Sequence, residues 1–516
     1  MFSLPLLSFY SLPFFFFFFF LFFIFYLFRF FSITSQKNFP PSPPKLPILG
    51  NLHQLGPYPH RSLRSLAQKY GPLMLLHFGN TPVLVVSSSL SAREIMKTHD
   101  QVFSSRPKLS IARRLLYDSK DVAFSPYGDY WRQLKSICVL HLLSNKRVQS
   151  FRGVREEETA LMVEKIRSHS RSSLSSLVNM NDMLVTLTNN IVCRVAMGRK
   201  YDGAGEGKKF TELLGGAVEL LGVSNVGDYI PWLAWINSIT GFDAKVDKVA
   251  KGMDEFLEGV VEERRNLYKR KNGDSGRGSR DSEETQDFVD ILLEIERENA
   301  AGCSTVQRDT IKALIMDMLG AGTDTTATSL VWTMTELLKH PKVMKKLQNE
   351  VREIARGKPN VTEEELEQMH YLKAVVKEAL RIRAPVPLLV PRELIQDVRV
   401  MGYDIAAGTQ VLINAWAIAR DPSTWEDPEE FRPERFLNNS IDLKGHDFEF
   451  IPFGAGRRGC PGTLFAINVN ELALANIVHS FDLSLPSGED LDMTEVTGLA
   501  IHRKTPLIVV VSPSSF

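Results

Sequence analysis

The ten residues FGAGRRGCPG, Phe453 to Gly462, gather four glycines, two arginines, a proline and one of the chain's four cysteines. Three chemistries compete for them. The plainest is a glycine-rich turn with a structural cysteine. The second is a dinucleotide fingerprint, spelled by Gly454, Gly456 and Gly459. It needs a strand before it, a helix after it and an acidic residue about 20 positions on. Asp482 supplies the acid, but Pro452 breaks the would-be strand, and too little chain follows Asp482 to finish a nucleotide-binding half. The third is a metal thiolate at Cys460. Pro461 suits the first position of a helix, and the apolar run from Thr463 continues it. Cys460 then stands at a helix N-terminus, where the dipole and free N–H groups favour an anionic sulfur.

Glycines ahead of the cysteine let the backbone lie flat against a large planar ligand, which a Cβ would block. Arg457 and Arg458 bring cations beside it. A flat, dianionic ligand held through one thiolate is haem, and thiolate ligation favours O–O cleavage. Two further patterns could serve such chemistry. Asp324 and Thr325, within DMLGAGTDTTATSLVW, put an acid and an alcohol side by side on an apolar helix. Glu378 and Arg381 are spaced i, i+3 and share a helix face. Alone, that second pair is an ordinary surface ion pair.

These residues need a helical frame. The apolar run carrying Asp324 predicts a helix over roughly 309–339, closed by His340-Pro341. Its two glycines and several threonines are unusual, since mid-helix Gly costs about 1 kcal/mol relative to Ala. Close helix packing or a local break in the helical hydrogen bonds would explain them. Most of the chain from residue 60 reads as helices. Hairpins of short strands are expected around Phe78 to Ser87 and Val398 to Trp416, and a surface loop over 271–286. The expected class is mainly α with a small β region.

The 516 residues carry a net charge of +1 and 44% apolar residues. No broad basic face is implied, so nucleic acid is a poor partner. The four cysteines lie far apart, which argues against a zinc site or a disulfide framework. The uncharged, phenylalanine-rich run Leu12 to Phe28 has the length of a membrane-spanning helix. It lacks the features of a cleaved signal peptide. Arg29, Lys37 and Lys45 follow it and leave the remainder in the cytosol by the positive-inside rule. The proline-rich PPSPPKLPILGN then reads as a semi-rigid spacer. The expected organisation is an anchor over 1–32, a hinge over 33–51 and a catalytic domain over 52–516.

The Cys460 loop, E-x-x-R at Glu378–Arg381, FRPERF at Phe431–Phe436 and AGTDT at Ala321–Thr325 together resemble a cytochrome P450. The resemblance is to the plant microsomal A-type, plant family 71, and runs from about residue 40 to the end. It implies the cytochrome P450 fold preceded by one transmembrane helix, with haem b as cofactor. It makes Cys460 the axial iron ligand, with Phe453 packed near the sulfur. Arg458, Trp131 and Arg392 become partners of the haem propionates. Lys135 joins them where Arg is usual, without the bidentate fork. Glu378, Arg381 and Arg435 become a structural triad. Asp324 and Thr325 become the proton-delivering pair. Where His-Pro-Pro is usual after Arg381, this chain has Arg383, Ala384 and Pro385.

The implied activity is monooxygenation of a small lipophilic plant metabolite: a terpenoid, coumarin or other phenylpropanoid, alkaloid or oxime. The implied partners are O2, NADPH–cytochrome P450 reductase and cytochrome b5, at the endoplasmic reticulum membrane. Alternatives are a thiolate-haem isomerase or dehydratase, against which Asp324–Thr325 argues, and a non-catalytic haem-binding protein.

Overall fold

The computed structural model describes residues 17, 19–24, 38–172, 177–201, 203, 205–273, 286–298, 306–486 and 490–514. The main elements follow in chain order: α1 (Pro59–Tyr70), β1 (Leu73–Phe78), β2 (Thr81–Val86), α2 (Asp129–Ile137), α3 (Arg152–Ser172), β3 (Leu177–Asn179), α4 (Met180–Met197), α5 (Glu206–Leu221) and α6 (Phe242–Gly273). The second half holds α7 (Phe288–Glu298), α8 (Arg308–Lys339), α9 (Pro341–Ile354), α10 (His370–Ile382), β4 (Arg392–Glu393), β5 (Val398–Val400), β6 (Tyr403–Ile405), β7 (Gln410–Ile413), α11 (Thr463–Ser480), β8 (Phe481–Ser484), β9 (Glu495–Val496), β10 (His502–Arg503) and β11 (Ile508–Pro513). Short helical turns join them.

Helix α8 is the axis. Its 32 residues span about 48 Å at 1.5 Å per residue. It is buried on nearly every side, which is why its sequence shows no single apolar stripe. Some of its threonines donate back to the preceding turn, as Thr333 does to Ser329 O and Thr335 to Val331 O, both at 2.7 Å. Pro341 stops α8 and starts α9. Helices α4, α10 and α11 pack against α8. Apolar side chains of all four join one large core that includes Leu187, Ile191, Leu314, Leu319, Val375 and Leu472.

A four-stranded sheet of order β1-β2-β7-β4 flanks this core. Strands β1 and β2 form an antiparallel hairpin with Leu75 opposite Leu84, and β2 pairs parallel with β7. A second apolar cluster joins sheet residues Leu84, Val86 and Val411 to Met96, Ile451 and Ala455. It thereby seats the cysteine loop on the sheet. Both expected hairpins are present, the second as β5–β6.

The proline-rich stretch is held against the protein. Pro41 O accepts from Leu75 N at 2.9 Å, and Asn38 N donates to the Asp404 carboxylate at 2.9 Å. Asn51 accepts from His77 N at 2.8 Å and donates to Pro44 O at 3.2 Å. Residues 38–51 therefore form a strap along the sheet edge. Within the expected anchor, Phe17 and residues 19–24 are helical and exposed. The rest of 1–32 lies outside the described residues, as does most of the 271–286 loop. Among the described residues no helix is long and apolar enough to cross a membrane.

Candidate active site

Cys460 opens onto an internal cavity of about 310 Å³. The loop before it is a tight turn closed by a hydrogen bond from Cys460 N to Phe453 O at 2.9 Å. Gly456 has φ +67°, and a Cβ there would collide with the Met96 carbonyl oxygen. The residues thus give a different reason for this glycine from the expected one: protein backbone, not a planar ligand, excludes its side chain.

Helix α11 begins at Thr463, with Gly462 as its cap, so Pro461 precedes the helix and Cys460 stands just outside it. Burial pushes the Cys460 thiol up. The Gly462 N–H, the Lys135 ammonium and the Thr463 hydroxyl offset that only in part. A metal ion at the sulfur would favour the thiolate.

Four cations converge around this loop. Lys135, from α2, donates to Gly459 O at 2.7 Å. Arg458 donates to Ser104 O and Ser125 O, both at 2.6 Å, and to Val122 O at 3.2 Å. Arg392, from β4, donates to Ala455 O at 2.9 Å and reaches Asp100 at 3.4 Å. Arg106 donates to Ala123 O at 2.8 Å and to Val390 O and Pro391 O at 2.7 Å. Burial lowers the pKa of all four, to about 9 at Arg458, and Arg392 lowers Arg458 and Arg106 further. Arg106 and Arg458 hydrogen-bond only carbonyl oxygens. Buried guanidinium groups without a carboxylate are costly, so this cluster fits a polyanionic ligand. Trp131 packs on Arg458, and its indole N–H donates to Val122 O at 3.1 Å. Sequence reasoning singled out Trp131, Lys135, Arg392 and Arg458 but missed Arg106, which carries no motif of its own.

Asp324 and Thr325 line the same cavity from α8. The helix is unbroken here. The local break, one of two explanations for the glycines, is absent, and Thr325 Oγ1 donates to Ala321 O at 2.7 Å. Gly322 answers to packing, since a Cβ there would lie 3.1 Å from Val192 of α4. Asp324 Oδ1 lies 3.5 Å from His502 Nε2, and its Oδ2 is buried without a protein partner. The rest of the wall is mostly apolar, with Leu116, Val122, Met316, Val386, Leu389 and Leu499, and is interrupted by Asp317, Thr326, Ser329 and Asn470.

Glu378, Arg381 and Arg435 meet behind the cysteine loop. Arg381 donates to both Glu378 oxygens at 2.8 and 2.9 Å, and Arg435 Nε donates at 3.0 Å. Glu378 and Arg381 are fully buried. Arg381 also binds Ala419 O, Pro428 O and Glu430 O, which pins the connection from β7 to Phe431. Arg383 bridges Glu336 of α8 and Glu495 of β9, each at 2.8 Å.

Comparison with known proteins agrees with this geometry. A family model described as "Cytochrome P450" matches residues 40–510. The chain is 58% identical to "Cytochrome P450 736A117" of Prunus mume over 476 residues, 91% of this chain and 89% of the relative. It is 53% identical to the (+)-menthofuran synthase of Mentha piperita over 472 residues, 91% of this chain and 92% of the relative. A zebra fish cytochrome P450 structure with abiraterone superposes with a TM-score of 0.73 at 26% identity, covering 88% of this chain and all of that one. A cavity faced by one cysteine and ringed by buried cations is what a haem monooxygenase requires. The chain belongs to the cytochrome P450 family, whose members are monooxygenases that bind haem b.

Proposed function

We propose that this chain is a membrane-anchored monooxygenase that inserts one atom of O2 into a small, uncharged plant specialised metabolite. The observation that carries the reading is one cavity faced by the Cys460 thiol, three buried arginines, the half-buried Lys135 and the Asp324–Thr325 pair, with a mostly apolar remainder. Haem bound through Cys460 supplies dioxygen binding and reductive O–O cleavage.

The chain's own residues do the rest. Arg106, Arg392, Arg458 and Lys135 neutralise the propionates, and Trp131 and Phe453 flank the site. Glu378, Arg381 and Arg435 hold the segment that leads to the loop. Asp324 moves protons toward the reacting oxygen, and the Thr325 hydroxyl positions the last donor. The mostly apolar wall favours an uncharged substrate. Relatives such as the (+)-menthofuran synthase support a specialised metabolite; terpenoids, phenylpropanoids, alkaloids and oximes are the candidate types.

Electrons come from NADPH through NADPH–cytochrome P450 reductase, with cytochrome b5 as a second donor. Residues 1–32 anchor the chain in the endoplasmic reticulum membrane, the 33–51 hinge follows, and residues 52–516 face the cytosol. Deleting residues 1–32 should release the protein from membranes with its haem spectrum intact; retention on the membrane would refute the anchor. Microsomes carrying the chain should show a high-spin spectral shift with one class of uncharged plant metabolite and convert it with NADPH. Binding without NADPH-dependent product would favour a carrier, and conversion without NADPH would favour an isomerase or dehydratase.

A further inference from the structure

His502 has both ring nitrogens engaged by α8. Its Nδ1 lies 3.0 Å from Thr328 Oγ1, and its Nε2 lies 3.5 Å from Asp324 Oδ1. Asp324 and Thr328 are one helical turn apart, so they present one face to the imidazole. The strand pair β9–β10 that carries His502 is fixed on all sides. The Trp332 indole N–H donates to Ile501 O at 2.7 Å, and Arg503 donates to Asp492 O at 2.7 Å and to Thr335 Oγ1 at 3.3 Å. Glu495 is held by Arg61 and Arg383 at 2.8 Å and by His60 at 3.4 Å. Among the described residues, the charged groups near His502 are Arg503 and Glu495 on its own strand pair, each engaged by the partners just given, and Asp324 on the helix.

Position gives this contact a direction. Asp324 belongs to the cavity wall and His502 does not. The His502 side chain keeps 42% of its surface open, against 23% for Asp324. Asp324 turns one oxygen to the imidazole and keeps the other, Oδ2, without a protein partner. We propose that His502 is the positioning residue that orients Asp324 and reloads it with protons from outside the cavity. This rests on the reading of Asp324 as the proton donor.

The proton balance is simple. A solvent proton converts the imidazole to imidazolium. The Nε2 proton passes to Asp324, giving neutral imidazole and a carboxylic acid. The acid releases that proton into the cavity and returns to carboxylate. In both ring states Nδ1 keeps its proton and donates it to the Thr328 hydroxyl, so Nε2 is the nitrogen that loses its proton to Asp324 and regains one from solvent. Burial lowers the His502 pKa, but the hydrogen bond and charge of Asp324 outweigh it and leave the imidazole above its ordinary range. That keeps imidazolium available near neutral pH.

The test has two arms. In the first, carbon-13 histidine NMR follows the titration of His502 in the reduced, CO-bound holoenzyme, with the signal assigned by its absence in His502→Gln. Asp324→Asn should lower the midpoint; an unchanged midpoint overturns the proposal. In the second, NADPH oxidation is measured with reductase and the substrate that gives the spectral shift. Gln keeps an N–H donor but cannot carry a proton. His502→Gln should therefore be about tenfold slower, less than the ~10²–10⁴-fold typical of general acids because water substitutes in part. The double variant should be no slower than Asp324→Asn alone. A full-rate His502→Gln beside a slow Asp324→Asn overturns the role of His502 only. Full rates in both overturn the reading of Asp324 as well.

Discussion

Arg458 stacks on Trp131, its guanidinium carbon 4.1 Å from the ring centroid, and all three of its hydrogen bonds end on carbonyl oxygens. A charge so placed is anchored in position, with no carboxylate among the described residues in hydrogen-bond contact. Its value lies in what it binds. Arg458→Gln removes the charge where a propionate would complete it. Hydrogen bonds to charged groups are worth about 1.5–3 kcal/mol, so haem should leave roughly tenfold to a hundredfold faster. Haem transfer to apomyoglobin measures this. An unchanged rate would leave Arg458 as a clamp on the 104–125 loop alone.

Glu378→Ala should lose much of the folded, haem-loaded protein. It strips Arg381 and Arg435 of their shared carboxylate where Glu378 and Arg381 are wholly buried. Breaking such a pair costs roughly 3–5 kcal/mol, a large part of a stability of about 5–15 kcal/mol. Thermal unfolding of purified protein checks this, and a melting temperature equal to the parent's would contradict it.

Asp317 should shape the pH dependence of stability. It lies against Asp121 in the interior, and its carboxylate accepts from Val122 N at 2.7 Å. Burial raises both acids, Asp121 to about 6; the Asp121 charge raises Asp317 further, while the hydrogen bond between the two carboxyls lowers Asp121 in part. A raised carboxyl pKa means the folded chain holds a proton the unfolded chain has released. The pair's contribution is thus present below the ordinary aspartate range and is lost as pH rises through about 6 and beyond. Asp317→Asn supplies a permanently neutral partner, so melting temperatures should fall less steeply toward alkaline pH. A slope identical to the parent's would contradict a shared proton.

Thr325→Ala removes a hydroxyl that donates to Ala321 O at 2.7 Å, with no change in charge and little in volume. Fold and haem content should survive. NADPH oxidation should continue while product per NADPH falls and hydrogen peroxide rises, because the last proton donor is no longer positioned. Equal coupling in variant and parent would make Thr325 a helix-packing residue.

The motifs were legible where function compresses into neighbouring residues. The Cys460 loop, the i, i+3 pair Glu378–Arg381 and the doublet Asp324–Thr325 each declare themselves within one or two turns of chain. What the sequence hid is assembled from afar. Arg106 joins the cation cluster only because the loop after Phe103 folds back onto Val390 and Pro391. His502 reaches Asp324 only because β10 docks on α8. The Asp121–Asp317 pair joins a loop to the central helix, and neither residue stands in a recognisable pattern. The glycines misled differently. Their presence was plain, but Gly456 answers to Met96 and Gly322 to Val192, contacts that no local pattern encodes. The proline-rich stretch read as a spacer, because the acceptors and donors that hold it belong to β1 and to the turn before β6.

The most direct test of the central claim is the difference spectrum of the reduced, CO-bound Cys460→Ser protein. Cys460 is the cysteine that faces the cavity, whereas Cys138 and Cys193 are buried in the core. The account predicts that Cys460→Ser loses the thiolate-type absorption band and all NADPH-dependent oxidation, while Cys138→Ser and Cys193→Ser keep the band. A parent-like band in the Cys460→Ser protein would contradict the assignment of this thiol as the haem ligand, and with it the proposed site.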